Sequence, residues 1–188
     1  MKRIGFAMCG SFCTVAEAIT MMKQLKEKYE IVPIMSGMTY STDTRFGKAE
    51  DFIAEVEEIT GKEILHTIVE TEPIGPKKMV DLMVVCPCTG NTMSKLANGI
   101  TDTSVTMAVK ASLRIGIPVV LCLATNDALG GSGQNLMRLI NTKNIYFVPL
   151  SQDNAQQKPL SMVADFSLLP QTIEAAFDNR QLQPILNV

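Results

Sequence analysis

The sequence contains no tryptophan and a single histidine, and aromatic residues make up only 5% of its 188 residues. Its 17 basic and 19 acidic side chains nearly balance, with a formal net charge of −2, and no basic stripe indicates a nucleic-acid-binding surface. The apolar runs are long enough for strands and too short to span a membrane. These absences favour one globular domain over residues 1–188 that binds neither nucleic acid nor membrane.

The five cysteines form no dense disulfide framework, and their number is odd. This usage is typical of reduced thiols, so we expect a cytoplasmic protein. Cys9, Cys13, Cys86 and Cys88 lie in two short loops. Thiolates in such numbers can hold a metal ion, but we expect these cysteines to be small packing groups and predict no metal site.

Short apolar runs alternate with helical patterns along the chain. We predict six strands, over residues 3–9, 30–36, 64–69, 82–87, 118–124 and 144–150. We predict helices over 14–28, 48–61, 132–142 and 171–179, two more between residues 88 and 117, and a polar loop at 37–45. Strands that are apolar throughout are typical of a parallel sheet covered on both faces. We therefore predict an α/β fold, a doubly wound parallel sheet in three layers, with strand order 3-2-1-4-5 and the sixth strand near the edge.

Two unusual loops follow the first and fourth predicted strands. They read "CGSFCT" (9–14) and "CPCTGNT" (86–92). In the predicted order the sheet reverses direction between these two strands, and their carboxyl ends form the crevice where such folds bind ligands. The sequence therefore predicts a binding site between the two loops.

The first loop has the features of a phosphate site. Gly10 permits close approach of the backbone, and the Ser11 and Thr14 hydroxyls lie at the start of a helix, whose N-terminus favours an anion. Ser36, at the end of the second strand, can reach the same phosphate. The dinucleotide fingerprint G-x-G-x-x-G is absent, so a mononucleotide fits better. The alternative is an ordinary glycine turn with a serine or threonine cap.

The second loop is small and polar throughout, so a flat ring can lie against its backbone. Its candidate binding residues are Pro87, Cys88, Thr89, Gly90, Asn91 and Thr92. Asn91 offers both a donor and an acceptor to the polar edge of such a ring. The alternative is a helix cap formed by Thr89 or Asn91.

Two further residues are candidates for chemistry. Asn126 follows the fifth strand and can bind a carboxylate or a carbonyl, or it can form an Asx turn. We take Asn91 and Asn126 as the candidate catalytic residues. His66, in the third predicted strand, is a possible proton carrier, although a packing role is favoured.

Several motifs identify a family. "PCTGNT" (87–92) resembles the PASANT motif of the FMN-dependent cysteine decarboxylases, and "KLANGITD" (95–102) resembles the K-x-A-x-G-I-x-D pattern that follows it. "ATND" (124–127) is similar to their A-M-N segment. The resemblance implies a doubly wound fold, FMN as cofactor, and assembly as a homotrimer or a larger oligomer.

Within this family the chain most resembles, over nearly its whole length, a flavoprotein-fold subunit of spore-forming bacteria. "NTKNIYFVPLSQDNAQQKP" (141–159) and "QLQP" (181–184) extend the likeness. That subunit works with an A subunit that carries the nicotinamide cofactor NAD(P). The resemblance implies an oxidoreductase of the mother cell during sporulation, which converts a cyclic hydroxy-tetrahydro dicarboxylate into pyridine-2,6-dicarboxylate.

The chain departs from the decarboxylases on the substrate side. Pro73 stands at the place of their upstream histidine, Thr125 replaces the methionine of A-M-N, and "ALGGSGQN" (128–135) lacks their M-W pair. Two alternatives to the oxidoreductase role stay open. One is an FMN-dependent decarboxylase of a cysteine-containing substrate, and the other is a non-catalytic assembly partner with a vestigial flavin pocket.

Overall fold

A seven-stranded sheet forms the centre of the computed structural model, which describes residues 1–187. The strands are β1 Arg3–Met8, β2 Glu30–Met35, β3 Leu82–Cys88, β4 Val119–Thr125, β5 Ile145–Phe147, β6 Leu150–Ser151 and β7 Met162–Ala164. Their order is β2-β1-β3-β4-β7-β6, and β5 pairs with β4. β1 to β5 are parallel, and β6 and β7 join as antiparallel strands.

Helices cover both faces of the sheet. They are α1 Val15–Lys26, α2 Gly37–Ser41, α3 Ala49–Thr60, α4 Ile68–Thr71, α5 Gly90–Ala97, α6 Ser104–Arg114, α7 Gly133–Ile140 and α8 Leu169–Phe177. α1 and α8 pack against one face, and α5, α6 and α7 against the other. The doubly wound α/β prediction is confirmed. Within residues 1–187, no helix combines the length and the apolar character that crossing a bilayer requires.

The sheet is the core of the molecule. Every residue of β3 is buried, as is every residue of β4 except Thr125. Phe6, Phe147 and Phe166 are among the largest fully buried side chains. Because both faces are covered, these strands are apolar throughout and show no alternation.

The prediction of a strand over residues 64–69 was wrong. Leu65 makes only an isolated parallel bridge to Ile34, and helix α4 begins at Ile68. Thr67 and Glu70 form a capping box, in which the Thr67 side chain accepts from the Glu70 N–H and the Glu70 carboxylate accepts from the Thr67 N–H. This T-x-x-E signal starts a helix and ends the extended segment. The position beside β2 nevertheless agrees with the predicted strand order.

The predicted sixth strand is interrupted. β5 and β6 flank Val148 and Pro149, and proline has no N–H for a continuous ladder. The end of β4 extends beyond β5 and pairs with β7 in antiparallel orientation. The prediction of a purely parallel sheet is therefore wrong at this edge, where the sheet is mixed.

Helix boundaries follow local signals closely. Gly61 ends α3 in the left-handed conformation, with φ of 68°, as a glycine C-cap does. Residues 37–45, predicted as a loop, begin with α2, because the Ser36 side chain accepts from the Thr39 N–H and caps a helix there. The side chain of Thr103 accepts from the Thr106 N–H and caps α6.

Candidate functional site

A cleft of about 510 Å³ lies at the carboxyl ends of β1, β2 and β3. This volume is within the range of small-molecule sites. Its lining includes Cys9, Gly10, Ser36, Gly37, Met38, His66, Thr89, Asn91, Thr92, Lys95, Asp102, Thr103 and Ser104. The sheet reverses its winding between β1 and β3, so the cleft occupies the ligand-binding edge of this architecture.

Main-chain and side-chain hydrogen bonds connect the two predicted loops. The Cys9 N–H donates to the Pro87 carbonyl at 3.2 Å, which connects the end of β1 to the end of β3. The Thr92 hydroxyl donates to the Cys9 sulfur, also at 3.2 Å. The residues after β1 and β3 therefore form one continuous floor of the cleft.

Thr89, rather than Asn91, caps helix α5. Its hydroxyl accepts from the Thr92 N–H at 3.2 Å and donates to the Thr92 hydroxyl at 3.1 Å. The Asn91 side chain is exposed at the cleft and has no hydrogen-bond partner within residues 1–187. Because the cap is already made, the Asn91 amide is free to contact a ligand.

Five of the ten predicted binding residues line the cleft, and the other five do not. Gly10, Ser36, Thr89, Asn91 and Thr92 line it. Ser11 and Thr14 lie beside it without lining it, and they bond to each other: the Thr14 hydroxyl donates to the Ser11 carbonyl and hydroxyl, both at 3.0 Å. Their hydroxyls therefore support the turn before α1.

The remaining predicted residues have other surroundings. Pro87 and Cys88 are buried in β3. Gly90 packs against β4, since a Cβ atom there would lie 2.5 Å from the Thr125 hydroxyl oxygen. Asn126 is exposed after β4 and does not line the cleft. The neighbouring Asp127 accepts from the Thr125 and Ser132 hydroxyls, and these hydrogen bonds lower its pKa.

His66 lies just before α4 at the rim of the cleft, rather than in a strand. Its ring stacks on Tyr40, with centroids 3.9 Å apart and an angle of 4° between the planes. Its Nδ1 is 3.3 Å from the Ile64 carbonyl and 3.5 Å from a Glu70 carboxylate oxygen. The pKa of Glu70 is lowered, chiefly because the His66 and Thr67 N–H groups donate to its carboxylate. These contacts with Tyr40, Ile64 and Glu70 set the orientation of the His66 imidazole.

Lys95 and Asp102 complete the cleft, and the sequence-based choice of site residues does not include them. The Lys95 ammonium donates to both carboxylate oxygens of Asp102, at 2.9 and 2.8 Å. The two residues are the first and last of "KLANGITD", whose ends the turn between α5 and α6 brings together. The sequence-level signal for these two site residues was their place in that motif. A lysine and an aspartate seven residues apart can be recognised as an ion pair only when the turn between α5 and α6 is known.

Four of the five cysteines are packing groups of the core. Cys9, Cys86, Cys88 and Cys122 are buried, and residues 1–187 contain no cluster of three or more metal-ligating side chains. Burial raises the pKa of the Cys9 thiol to about 11, and burial also holds the pKa values of Cys88 and Cys122 well above their ordinary value. Thiolates are the reactive form, so we expect the thiols of Cys9, Cys88 and Cys122 to react slowly at neutral pH.

We expect one rapidly reactive thiol in the native protein. Cys13 is the exposed cysteine, and iodoacetamide at neutral pH should label it well before the four buried ones. Peptide mapping by mass spectrometry measures this, and Cys13→Ser should remove the rapid phase. Denaturant should expose all five thiols. Rapid labelling of Cys9 in the folded protein would contradict the buried floor described above.

Comparisons with known proteins agree with this architecture. The model of the family described as Flavoprotein matches residues 1–165. The B subunit of dipicolinate synthase from Bacillus subtilis (strain 168) is 51% identical over 186 residues, which cover 98% of this chain and 93% of that protein. The crystal structure of the dipicolinate synthase B subunit from Bacillus halodurans C is 47% identical, with a TM-score of 0.92 over 100% of this chain and 96% of that one.

A more distant solved structure shares the fold. It is the FMN-dependent cysteine decarboxylase SpaF, with 18% identity and a TM-score of 0.70 over 95% of this chain and 97% of that one. The family match over most of the chain and the high identity to the Bacillus proteins lead to one conclusion. The chain belongs to the flavoprotein family and, within it, to the family of the dipicolinate synthase B subunits.

Proposed function

We propose that this chain acts as the B subunit of a dipicolinate synthase and that its cleft holds FMN. The observation that carries the proposal is the cleft itself, which Gly10, Ser36, Thr89, Asn91 and Thr92 line at the reversal point of the sheet. The matched family is described as Flavoprotein, and SpaF, which shares the fold, is described as FMN-dependent.

The residues of the cleft fit the polar groups of a mononucleotide. A phosphate needs donors, and the Ser36 hydroxyl, the backbone beside Gly10 and the free N–H groups at the start of α5 are donors. A Cβ atom at Gly37 would meet nothing within 4 Å, so there is open space over this wall. The exposed Asn91 amide can donate to and accept from the edge of a flat ring.

FMN, when bound, would supply a two-electron redox group. The part of this chain is to hold and orient it. We assign the phosphate to Ser36 and the turn at Gly10, and the polar edge of the ring to Asn91. Thr89 and Thr92 form the floor, where the hydroxyl of Thr92 is already directed to Cys9.

The proposed substrate is a cyclic hydroxy-tetrahydro dicarboxylate. Loss of water, and then loss of a hydride and a proton, converts it into the aromatic pyridine-2,6-dicarboxylate. We assign the final uptake of the hydride to NAD(P) on the A subunit, either directly or with FMN as a relay, and the binding of the dicarboxylate beside FMN to this chain. The proposed setting is the cytoplasm of the mother cell in a spore former.

The proposed assembly is a homotrimer or a larger oligomer that also binds the A subunit. The contact segments that we propose are 37–45 and 95–116. Each presents an exposed apolar side chain, since Met38 is 62% and Ile100 is 48% exposed. Met38 also lines the cleft, so a neighbouring chain at this position would complete the wall of the site.

Coexpression with the A subunit tests the function directly. We expect pyridine-2,6-dicarboxylate to form only when both subunits are present, and titration of this chain with FMN to quench the flavin fluorescence and shift its absorbance. Light scattering of the same sample should show at least a trimer.

Three results would contradict parts of the proposal. Full activity of the A subunit alone would overturn a role in synthesis. Activity of both subunits without FMN binding would favour the assembly-partner alternative. Release of carbon dioxide from a peptide with a C-terminal cysteine would favour the decarboxylase.

A further inference from the structure

Lys95 lies on the same face of α5 as Asn91. Residues four apart are neighbours on a helix surface, and both side chains line the cleft. The Lys95 ammonium is held there by Asp102.

Lys95 is also the main positive charge of the site. Among the described residues that line the cleft it is the only lysine or arginine, and His66 is the only other group that can become cationic. The Lys95 side chain is 22% exposed, whereas that of its partner Asp102 is 54% exposed. For an anionic ligand, Lys95 is therefore the lysine contact that this lining offers.

Asp102 holds the ammonium without using all of its donors. An ammonium group has three N–H bonds, and the two short contacts to Asp102 account for two of them. The third is left for another acceptor. An ion pair with one well-exposed partner contributes little to the stability of the fold. We therefore attribute to Asp102 the role of fixing the position of the ammonium.

We propose that Lys95 binds one carboxylate of the dicarboxylate substrate. Asp102 positions the ammonium and, through its own charge, limits how tightly the anion is held. This inference rests on the proposed function, because it takes the substrate class from it. It adds a substrate-binding residue and assigns opposite effects to the two members of one ion pair.

Two substitutions should change affinity in opposite directions. With FMN at saturation, Lys95→Met should weaken binding of pyridine-2,6-dicarboxylate, measured by calorimetry, by about tenfold or more, because hydrogen bonds to charged groups are the strong ones. Asp102→Asn should strengthen it by about fivefold, because it removes a negative charge next to the anion. Lys95→Arg should keep most of the affinity, and added salt should weaken binding to the unmodified protein more than to Lys95→Met.

The matched control is Lys26→Met, which removes an exposed lysine of α1 outside the cleft and should leave the affinity unchanged. Melting temperatures of all variants separate binding from folding. If both Lys95→Met and Asp102→Asn lower stability and shift affinity in the same direction, the pair only pins the α5–α6 turn and the proposal fails.

Two further outcomes would overturn it. The first is a Lys95→Met variant that loses FMN affinity but keeps dicarboxylate affinity, which would assign the lysine to the cofactor phosphate. The second is the absence of dicarboxylate binding by the unmodified chain. The titration is repeated without FMN, so a failure of FMN binding, which belongs to the proposed function, is seen separately.

Discussion

Replacing Asn91 by alanine should weaken FMN binding by between about fivefold and a hundredfold and leave the melting temperature nearly unchanged. A hydrogen-bonding group left unpaired in a closed site costs about 1–3 kcal/mol, and each ~1.4 kcal/mol is a factor of ten in affinity. Folding should not suffer, because Thr89 already caps α5 and the Asn91 side chain has no protein partner within residues 1–187. Fluorescence titration with FMN and thermal unfolding of the same sample measure both quantities.

Two other variants make the Asn91 result specific. Asn141→Ala removes an exposed asparagine at the end of α7, far along the chain from the cleft residues, and should not change FMN affinity. Asn91→Asp keeps the size but replaces the donor with a charge, so it should also weaken binding. A fall in stability of about 0.5–2 kcal/mol with unchanged affinity would show instead that Asn91 serves the helix start.

Gly75→Ala should destabilise the folded protein by about 3 kcal/mol, the upper end of the usual cost of overpacking. A Cβ atom at Gly75 would lie 2.4 Å from the carbonyl oxygen and 3.0 Å from the carbonyl carbon of Ala111. Since these are backbone atoms of α6, no side chain can turn aside to make room. Either the segment that carries Gly75 or α6 would have to shift, and a shift of α6 would carry Ser104 at the wall of the cleft with it.

Urea unfolding measures this effect, and a domain of this size should lose roughly 6–12 °C in melting temperature. Gly131→Ala is the matched control, because a Cβ atom there would meet nothing within 4 Å. It should change the unfolding free energy by less than about 0.5 kcal/mol. An unchanged free energy of unfolding for Gly75→Ala would mean that the two segments can move apart without cost. The close approach of Gly75 to Ala111 would then not contribute to stability.

Much of the fold can be predicted from local patterns. The apolar runs at 3–9, 82–87 and 118–124 predict buried parallel strands, and the structure confirms them as β1, β3 and β4. Gly61 predicts the end of α3. These predictions succeed because burial on both faces imposes apolar residues at every position, and because glycine readily adopts the left-handed backbone that ends a helix.

Some local signals are present in the sequence and are outweighed by others. "ILHTIV" is rich in β-branched residues and predicts a strand, but the following Glu70 completes a capping box with Thr67 and starts α4. The position of Ser36 predicts a phosphate ligand, whereas its hydroxyl also caps α2. A serine or threonine at a turn can serve the helix, a ligand, or both, and the residue type does not separate these uses.

Local patterns in the sequence are sufficient to predict the α/β class, the parallel central strands and the pair of loops that meet at the reversal of the sheet. The packed structure was needed to show that Thr89 caps α5 while Asn91 stays free, that Lys95 pairs with Asp102, and that His66 stacks on Tyr40. The difference lies in the range of the forces involved. Hydrophobic periodicity and helix caps act within a few residues, whereas side-chain partners across a turn or between elements depend on how the helices pack onto the sheet.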